Sequence, residues 1–378
     1  MALSRHYRVA QWATGNIGTR SLRAVVEHPD LDLAGVFVHS PDKAGRDAGE
    51  LCGLGKTGVM TTHDIDEILA LDADCVLYMP RSCDFDQVCR LLASGANIVT
   101  TRGEFHRAAS LEPAVRARVE AACAEGGTSI HSTGSSPGFI TEAVPLALTS
   151  IQRRLDGLTI DEFADLSQRD SPGLLFDVMG FGKPPAEFDE RRLAHPRDSF
   201  GPSLHVLAEA LSLPLDSVRA EGEVATASRP VRIAAGTLEP GTVAAQRITV
   251  SGIRDGQPLL RFRATWYCTT EIDRPYSNFP GSDPPHPHEP RSWPGSSKRN
   301  PPGEADAWDL RATGWRIQVE GDAPLDIDIH FAVPLDRMAE VSPSYTANRA
   351  VNAVPFVCEA APGIRSTTDL PQIVAALN

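Results

Sequence analysis

Arg8-Val-Ala-Gln-Trp-Ala-Thr-Gly-Asn-Ile-Gly18 is a short apolar run that enters a glycine-containing turn. Leu22, Val25 and Val26 then recur at helical spacing up to Pro29, which completes the order strand, turn, helix. A dinucleotide pyrophosphate requires that order. Gly15 lets the backbone approach the phosphates, Gly18 lets helix and strand pack closely, and the free N–H groups at the helix start face the negative charge. Ala13 replaces the first glycine of the G-x-G-x-x-G fingerprint. Ala13, Thr14, Gly15, Asn16 and Ile17 form the expected cofactor cradle, the alternative being an ordinary strand-to-helix turn of an α/β protein.

Working outward, Leu33 to Val38 is a second apolar strand, and it ends in His39-Ser40-Pro41-Asp42-Lys43 where the loop beside an adenosine ribose should fall. NAD-selective sites usually carry an acid there. His39, Ser40 and Lys43 stand there instead, and a hydroxyl plus a cation suit a 2′-phosphate, so NADP (NADPH) is the expected cofactor, with NAD as the alternative. Asp74 to Met79 followed by Pro80, Asn97 to Thr101, and Thr128 to His131 are further strands. They are separated by helices with Phe85, Val88, Cys89 and Leu92, then Leu111, Val115 and Val119, on their inner faces. Strands alternating with helices imply a Rossmann-type, doubly wound parallel sheet whose ligands sit at the carboxyl ends of the strands.

The pattern changes at Ser132-Thr-Gly-Ser-Ser-Pro-Gly138, read as a crossover. Val243 to Ile253, a turn at Asp255-Gly256, and Leu259 to Cys268 make a hairpin, and Leu325, Ile327, Ile329 and Phe331 alternate with polar residues. The fold class is therefore α/β: the parallel sheet plus an α+β second domain with an open, mainly antiparallel sheet. The expected boundaries are 1–135 for the dinucleotide-binding domain, 136–344 for the substrate domain, and 345–378 for a C-terminal helical segment returning to the first domain. Residues 273–303 hold nine of the chain's 30 prolines and read as an insertion. His286 and His288 within it lack a wider ligand set, and no metal is expected.

The 378 residues carry a net charge of -13, which argues against a nucleic-acid partner. No run of 18 apolar residues occurs and the N-terminus lacks a signal-peptide core, so no membrane partner and a cytoplasmic location are expected. The seven cysteines are scattered without a C-x-x-C pair and read as free thiols.

Chemistry is expected in three loops at the carboxyl edge of the sheet: Met79-Pro80-Arg81, Thr101 to His106, and Ser132 to Gly138. Met79, Pro80 and Thr101 are counted with the cofactor site. Glu104, after Gly103, is the candidate catalytic acid-base: beside an apolar wall its carboxyl would exchange a proton near neutral pH, the alternative being a first-turn acid of the following helix stabilised by the helix dipole. His106 and His131 are rival bases, more readily explained as loop or core histidines. Phe176 to Gly182 combines bulky apolar side chains with glycines, so Phe176, Met179 and Phe181 are candidate pocket residues, with core packing as the alternative. Ser136 and Phe139 complete the candidate substrate pocket.

The ordered set Gln11 to Gly18, His39-Ser40-Pro41, Thr101-Arg-Gly-Glu104, Ser136-Pro-Gly-Phe139 and Asn348-Arg-Ala-Val-Asn352 resembles the family named after the dihydrodipicolinate reductase N-terminal domain. It looks most like the 2,4-diaminopentanoate dehydrogenase and native amine dehydrogenase branch. The resemblance implies a homodimeric, NAD(P)H-dependent oxidoreductase, dimerising through the second domain, that interconverts an apolar ketone or aldehyde plus ammonia with the primary amine. It also implies that Glu104 handles protons and that Asn352 belongs to the cofactor site. Amine-active relatives commonly carry Asn where Ser136 stands. A carbonyl or cyclic-imine reductase that does not use ammonia, and a non-catalytic NADP-binding sensor, are the alternatives.

Overall fold

In the computed structural model, residues 5–186, 190–273 and 308–377 are described. The insertion expected at 273–303 lies outside them except for Asp273. The first sheet takes β1 (Tyr7–Trp12), β2 (Leu31–Phe37), β3 (Thr61–Thr62), β4 (Cys75–Tyr78), β5 (Asn97–Thr100) and β6 (Ser129–Ser132). Its helices are α1 (Asn16–Glu27), α2 (Ala48–Leu51), α3 (Ile65–Leu69), α4 (Phe85–Ala93) and α5 (Pro113–Gly126). After the crossover come α6 (Val144–Thr149), β7 (Leu155–Asp165), α7 (Glu190–Ala210), β8 (Ser217–Thr226), β9 (Val231–Ile233) and β10 (Gly236–Leu238). The chain closes with β11 (Val243–Arg254), β12 (Gln257–Tyr267), β13 (Gly314–Gly321), β14 (Leu325–His330), α8 (Leu335–Cys358) and β15 (Gly363–Arg365).

The first sheet has seven parallel strands in the order β15-β6-β5-β4-β1-β2-β3. Its central strands are apolar on both faces because both are covered. On one side Val9, Cys75, Leu77 and Val99 pack against α1 and α8 through Val25, Ala350, Val354 and Val357. On the other, Ala10, Trp12, Val76, Tyr78, Ile98 and Ile130 meet α4 and α5 through Leu91, Leu92, Val119 and Cys123.

The C-terminal segment departs from expectation in two ways. α8 already starts at Leu335, ahead of the 345 boundary, and the chain then adds β15 to the first sheet beside β6. No helix follows Pro371, and residues 371–377 carry no regular structure.

The second sheet has the order β14-β13-β7-β12-β11-β8 and is antiparallel except for the β7/β12 pair. The expected hairpin forms β11 and β12, with Asp255 at φ 51° and Gly256 at φ 74°, the two left-handed residues a tight hairpin turn needs. β14 alternates as anticipated, but at the sheet edge its inner face is only half-buried. Leu158, Ile160, Phe262, Ile317 and Val319 bury one face of the sheet under α7 (Leu204, Leu207, Ala208) and Ile140.

Candidate active site between the two sheets

The cofactor turn is built as its sequence demands. Ala13 holds φ 73°, the left-handed conformation that a first glycine normally supplies. A Cβ on Gly18 would lie 2.2 Å from the Ala13 carbonyl oxygen, so only glycine allows α1 to approach the turn this closely. A Cβ on Gly15 would meet nothing within 4 Å, and no side chain caps α1. Open space therefore faces uncapped helix N–H groups, which is the cradle a pyrophosphate fits. Beneath it the buried Gln11 side chain donates from Nε2 to the Ala13 and Trp12 carbonyls at 3.0 and 3.2 Å, fixing the turn from below. Trp12 stacks on Phe37 at 3.8 Å, locking β1 to β2.

Lys43 leaves its short 3₁₀ turn and reaches back to the cradle, its Nζ donating to Thr14 O at 3.1 Å and Thr14 Oγ1 at 3.3 Å. His39 and Ser40 are exposed at the end of β2. Met79 and Pro80 are buried after β4, Thr101 is half-buried after β5, and Asn352 is half-buried on α8. The turn, the β2 tip and the β4 and β5 ends thus share one edge of the sheet.

Glu104 lies in the short turn Gly103–Phe105 after β5, but its surroundings differ from the apolar wall expected. Arg102 Nη2 donates to Glu104 Oε1 at 2.7 Å, and Arg102 Nη1 is anchored on the Arg81 carbonyl at 2.8 Å. Glu104 Oε2 is buried without a hydrogen-bond partner. The carboxylate also faces Cys83, whose thiol is pushed up to about 12, first by burial and then by the charge of Glu104. The apolar-wall expectation is corrected accordingly: the residue two before Glu104 supplies a guanidinium that spacing alone did not orient.

A cavity of about 310 Å³ lies between the sheets. It opens at Asn16 and Ile17, the first residues of α1, and is bounded by Ser135 and Ser136 of the crossover. The second sheet contributes Glu162 to Leu166 at the end of β7, with Trp315 of β13 and Phe331; α8 contributes Leu335, Met338, Ser342 and Thr346. Trp315 and Phe331 meet edge to face at 4.5 Å, and Phe139 tilts against Trp315 at 6.2 Å from outside the cavity. Glu104 is not among the residues that line it.

Phe176, Met179 and Phe181 are placed elsewhere. They join Leu175, Ile233, Leu238 and Val243 in a separate apolar cluster, with Phe181 fully buried, so the core-packing alternative describes them. Apolar side chains interspersed with glycine look alike in a pocket wall and a small satellite core, and only the partners distinguish them.

The rival histidines are also core residues. His131 is fixed in β6 by its Nδ1, which donates to the Arg365 carbonyl at 2.8 Å, and burial lowers its pKa to about 4. His106 Nδ1 lies 2.8 Å from Glu142 Oε1, both side chains buried. Among the described residues, no group of three or more His, Cys, Asp or Glu could hold a metal ion, and no helix is long and apolar enough to cross a membrane.

Two acids do line the cavity, Glu162 and Asp165, and sequence patterning singled out neither. Glu162 Oε2 accepts a hydrogen bond from Trp315 Nε1 at 3.2 Å, the indole directly across the β7/β13 ladder. The signal was available: Leu158 and Ile160 mark one face of β7, and the next residue of that series is an acid where the alternation calls for an apolar side chain.

Residues 12–103 match the family model described as dihydrodipicolinate reductase, N-terminus. Over 371 residues, 95% of each chain, the sequence is 29% identical to an amine dehydrogenase of Streptomyces virginiae. A 4-hydroxy-tetrahydrodipicolinate reductase of Synechococcus elongatus is 31% identical over 102 residues, 25% of this chain and 37% of that one, so that likeness is local. The structure of an amine dehydrogenase from Mycobacterium smegmatis superposes with a TM-score of 0.70 at 20% identity, covering 98% of this chain and 97% of that one, which shows a shared fold. The chain is thus similar to an amine dehydrogenase over nearly its whole length, and its residues 12–103 are similar to the N-terminal part of dihydrodipicolinate reductase.

Proposed function

We propose that this protein is an NADP-preferring amine dehydrogenase that interconverts an apolar ketone or aldehyde plus ammonia with the corresponding primary amine. The observation that carries the reading is the cavity: it starts at the α1 N-terminus, beside the cofactor cradle, and combines an aromatic and aliphatic wall with a carboxylate. The full-length similarity to an amine dehydrogenase supports the same reaction. For the cofactor, Lys43 beside Thr14 and the lack of an acid at His39 and Ser40 favour a 2′-phosphate. When bound, the nicotinamide supplies the hydride that reduces the substrate carbon.

The chain's own residues supply position and protons. Asn16, Ile17 and the uncapped first turn of α1, which border the cavity, would hold the cofactor's pyrophosphate. Trp315, Phe331 and Met338 exclude water from an apolar substrate. Glu104 lies outside the cavity lining, at the β5 end, with Oε2 unpaired and Oε1 oriented by Arg102; it is assigned the proton that ammonia loses on addition and that the departing hydroxyl takes as water, a role that requires the reacting carbon to sit at the cofactor end of the cavity. Consistent with the resemblance, the active form is a homodimer, and light scattering of the purified protein reads that directly.

The test is the loss of nicotinamide absorbance with a panel of apolar ketones, with and without ammonium, for NADPH and NADH in parallel. Oxidation only with ammonium, faster with NADPH, is the expected result. Oxidation regardless of ammonium makes the protein a carbonyl reductase, and cofactor binding without turnover makes it a sensor. Glu104→Gln should lower kcat by about 10²-fold or more while leaving NADPH affinity unchanged; retained turnover removes Glu104 from the proton path.

A further inference from the structure

Glu162 is an acid at a strand position where the alternation calls for an apolar side chain. It stands on the face of β7 that Leu158 and Ile160 bury in the second-sheet core, at the point where that face leaves the core and becomes the cavity wall. Its ladder neighbours are Ala264 of β12 and Trp315 of β13. The Trp315 indole donates to it, while Ser136 Oγ, turned toward it from the crossover, is buried without a hydrogen bond of ordinary geometry. Burial pushes its carboxyl above the ordinary carboxylate range, and the opposing contributions come from Ser136, Trp315 and Trp266, none of them a cation. The other charged groups on the cavity wall are Asp165, further along β7, and Arg169 beyond it; α8 presents only uncharged side chains there.

A carboxylate on an apolar wall with neutral donors and no cationic partner is costly to keep ionised, so the arrangement is completed by a cationic ligand. We propose that Glu162 is the nitrogen-binding residue of the cavity: it holds the positive nitrogen of ammonium, or of a primary aliphatic amine, against the Trp315 wall. This rests on the amine dehydrogenase reading and deepens it. It assigns recognition of nitrogen to β7 of the second sheet, and leaves proton movement to Glu104 at the end of β5. Ligand arrival favours the ionised form of Glu162, so binding of the cation releases a proton wherever the free carboxyl is still protonated.

Two measurements test this, one of them independent of turnover. Calorimetric titration of the NADP-loaded protein with cyclohexylammonium should show binding that Glu162→Gln weakens by about ten- to a hundredfold, the loss of one charge-assisted contact. In the nicotinamide-absorbance assay the same variant should raise KM for ammonium by a similar factor with NADPH affinity unchanged. Glu162→Asp, which keeps the charge one methylene further back, should recover part of the affinity and guards against a Gln variant that fails to fold. Equal cyclohexylammonium affinity in wild type and Glu162→Gln overturns the inference whether or not the protein turns over. Wild-type turnover that ignores ammonium, with cyclohexylammonium still bound through Glu162, overturns the amine dehydrogenase reading instead.

Discussion

Two glutamates, Glu142, fully buried, and Glu162, half-buried on the cavity wall, have environments that push them in opposite directions. Glu142 is saturated: His106 Nδ1 is 2.8 Å away, Ser203 Oγ donates at 2.6 Å, and Thr367 donates to its other oxygen. The network continues through Thr141, which bonds Ser203 at 2.6 Å and accepts from the Gly138 N–H at 2.9 Å. Burial alone would raise the Glu142 carboxyl, but His106 and the hydroxyl donors hold it below the ordinary range. Glu162 has neutral donors only, and burial wins. A buried acid whose oxygens are occupied by partners the fold supplies acts as a rivet, here joining the β5 loop, the crossover, α7 and the C-terminal segment. One on a cavity wall with fewer partners is left for a ligand.

The largest expected effect breaks the rivet. Glu142→Ala strands a buried histidine and two hydroxyls, and urea unfolding should show a loss of about 3–5 kcal/mol; a loss below about 1 kcal/mol would mean that the network contributes little. Acid comes next. His131 sits near 4 in the folded chain against 6.5 in its unfolded reference, so the unfolded chain binds the extra proton in that window. Stability conferred by neutral His131 is complete above 6.5 and is lost as pH falls toward 4, by about 3 kcal/mol. Glu142, with its lowered carboxyl, loses its contribution in the same direction. Unfolding midpoints measured across that range for wild type and His131→Asn should diverge, with the variant flatter.

The smallest effect has the opposite sign. Glu162 binds its proton more tightly when folded, so its contribution is present below the unfolded value and declines as pH rises through the folded one. At neutral pH, Glu162→Gln should therefore raise stability, on the order of 1 kcal/mol, while it weakens amine binding. A variant that is both less stable and unchanged in binding would place Glu162 with Glu142 as a structural group.

These contrasts show where one-dimensional reading stops. The Arg8 to Gly18 turn was legible because its constraints are local: a left-handed residue at Ala13, a missing side chain at Gly18, and a helix start lie within one short stretch. The Asp255-Gly256 hairpin was legible for the same reason. Glu104 was located at its strand end, but the orientation of Arg102 depends on the Arg81 carbonyl, which belongs to another strand's loop. Phe176, Met179 and Phe181 had the right composition for a pocket and the wrong partners.

Periodicity and turn chemistry along the chain therefore settled the class of the fold, the parallel sheet and the shape of the glycine turn that opens α1, since each depends on residues only a few positions apart. The cavity depended on three-dimensional packing. It joins Asn16, Ser136, Glu162, Trp315 and Met338, residues scattered over most of the chain, and the electrostatic state of each buried acid there is set by which distant side chains arrive beside it. Burial strengthens those pairings and makes a missing partner costly, so the difference between Glu142 and Glu162 exists only in the folded protein.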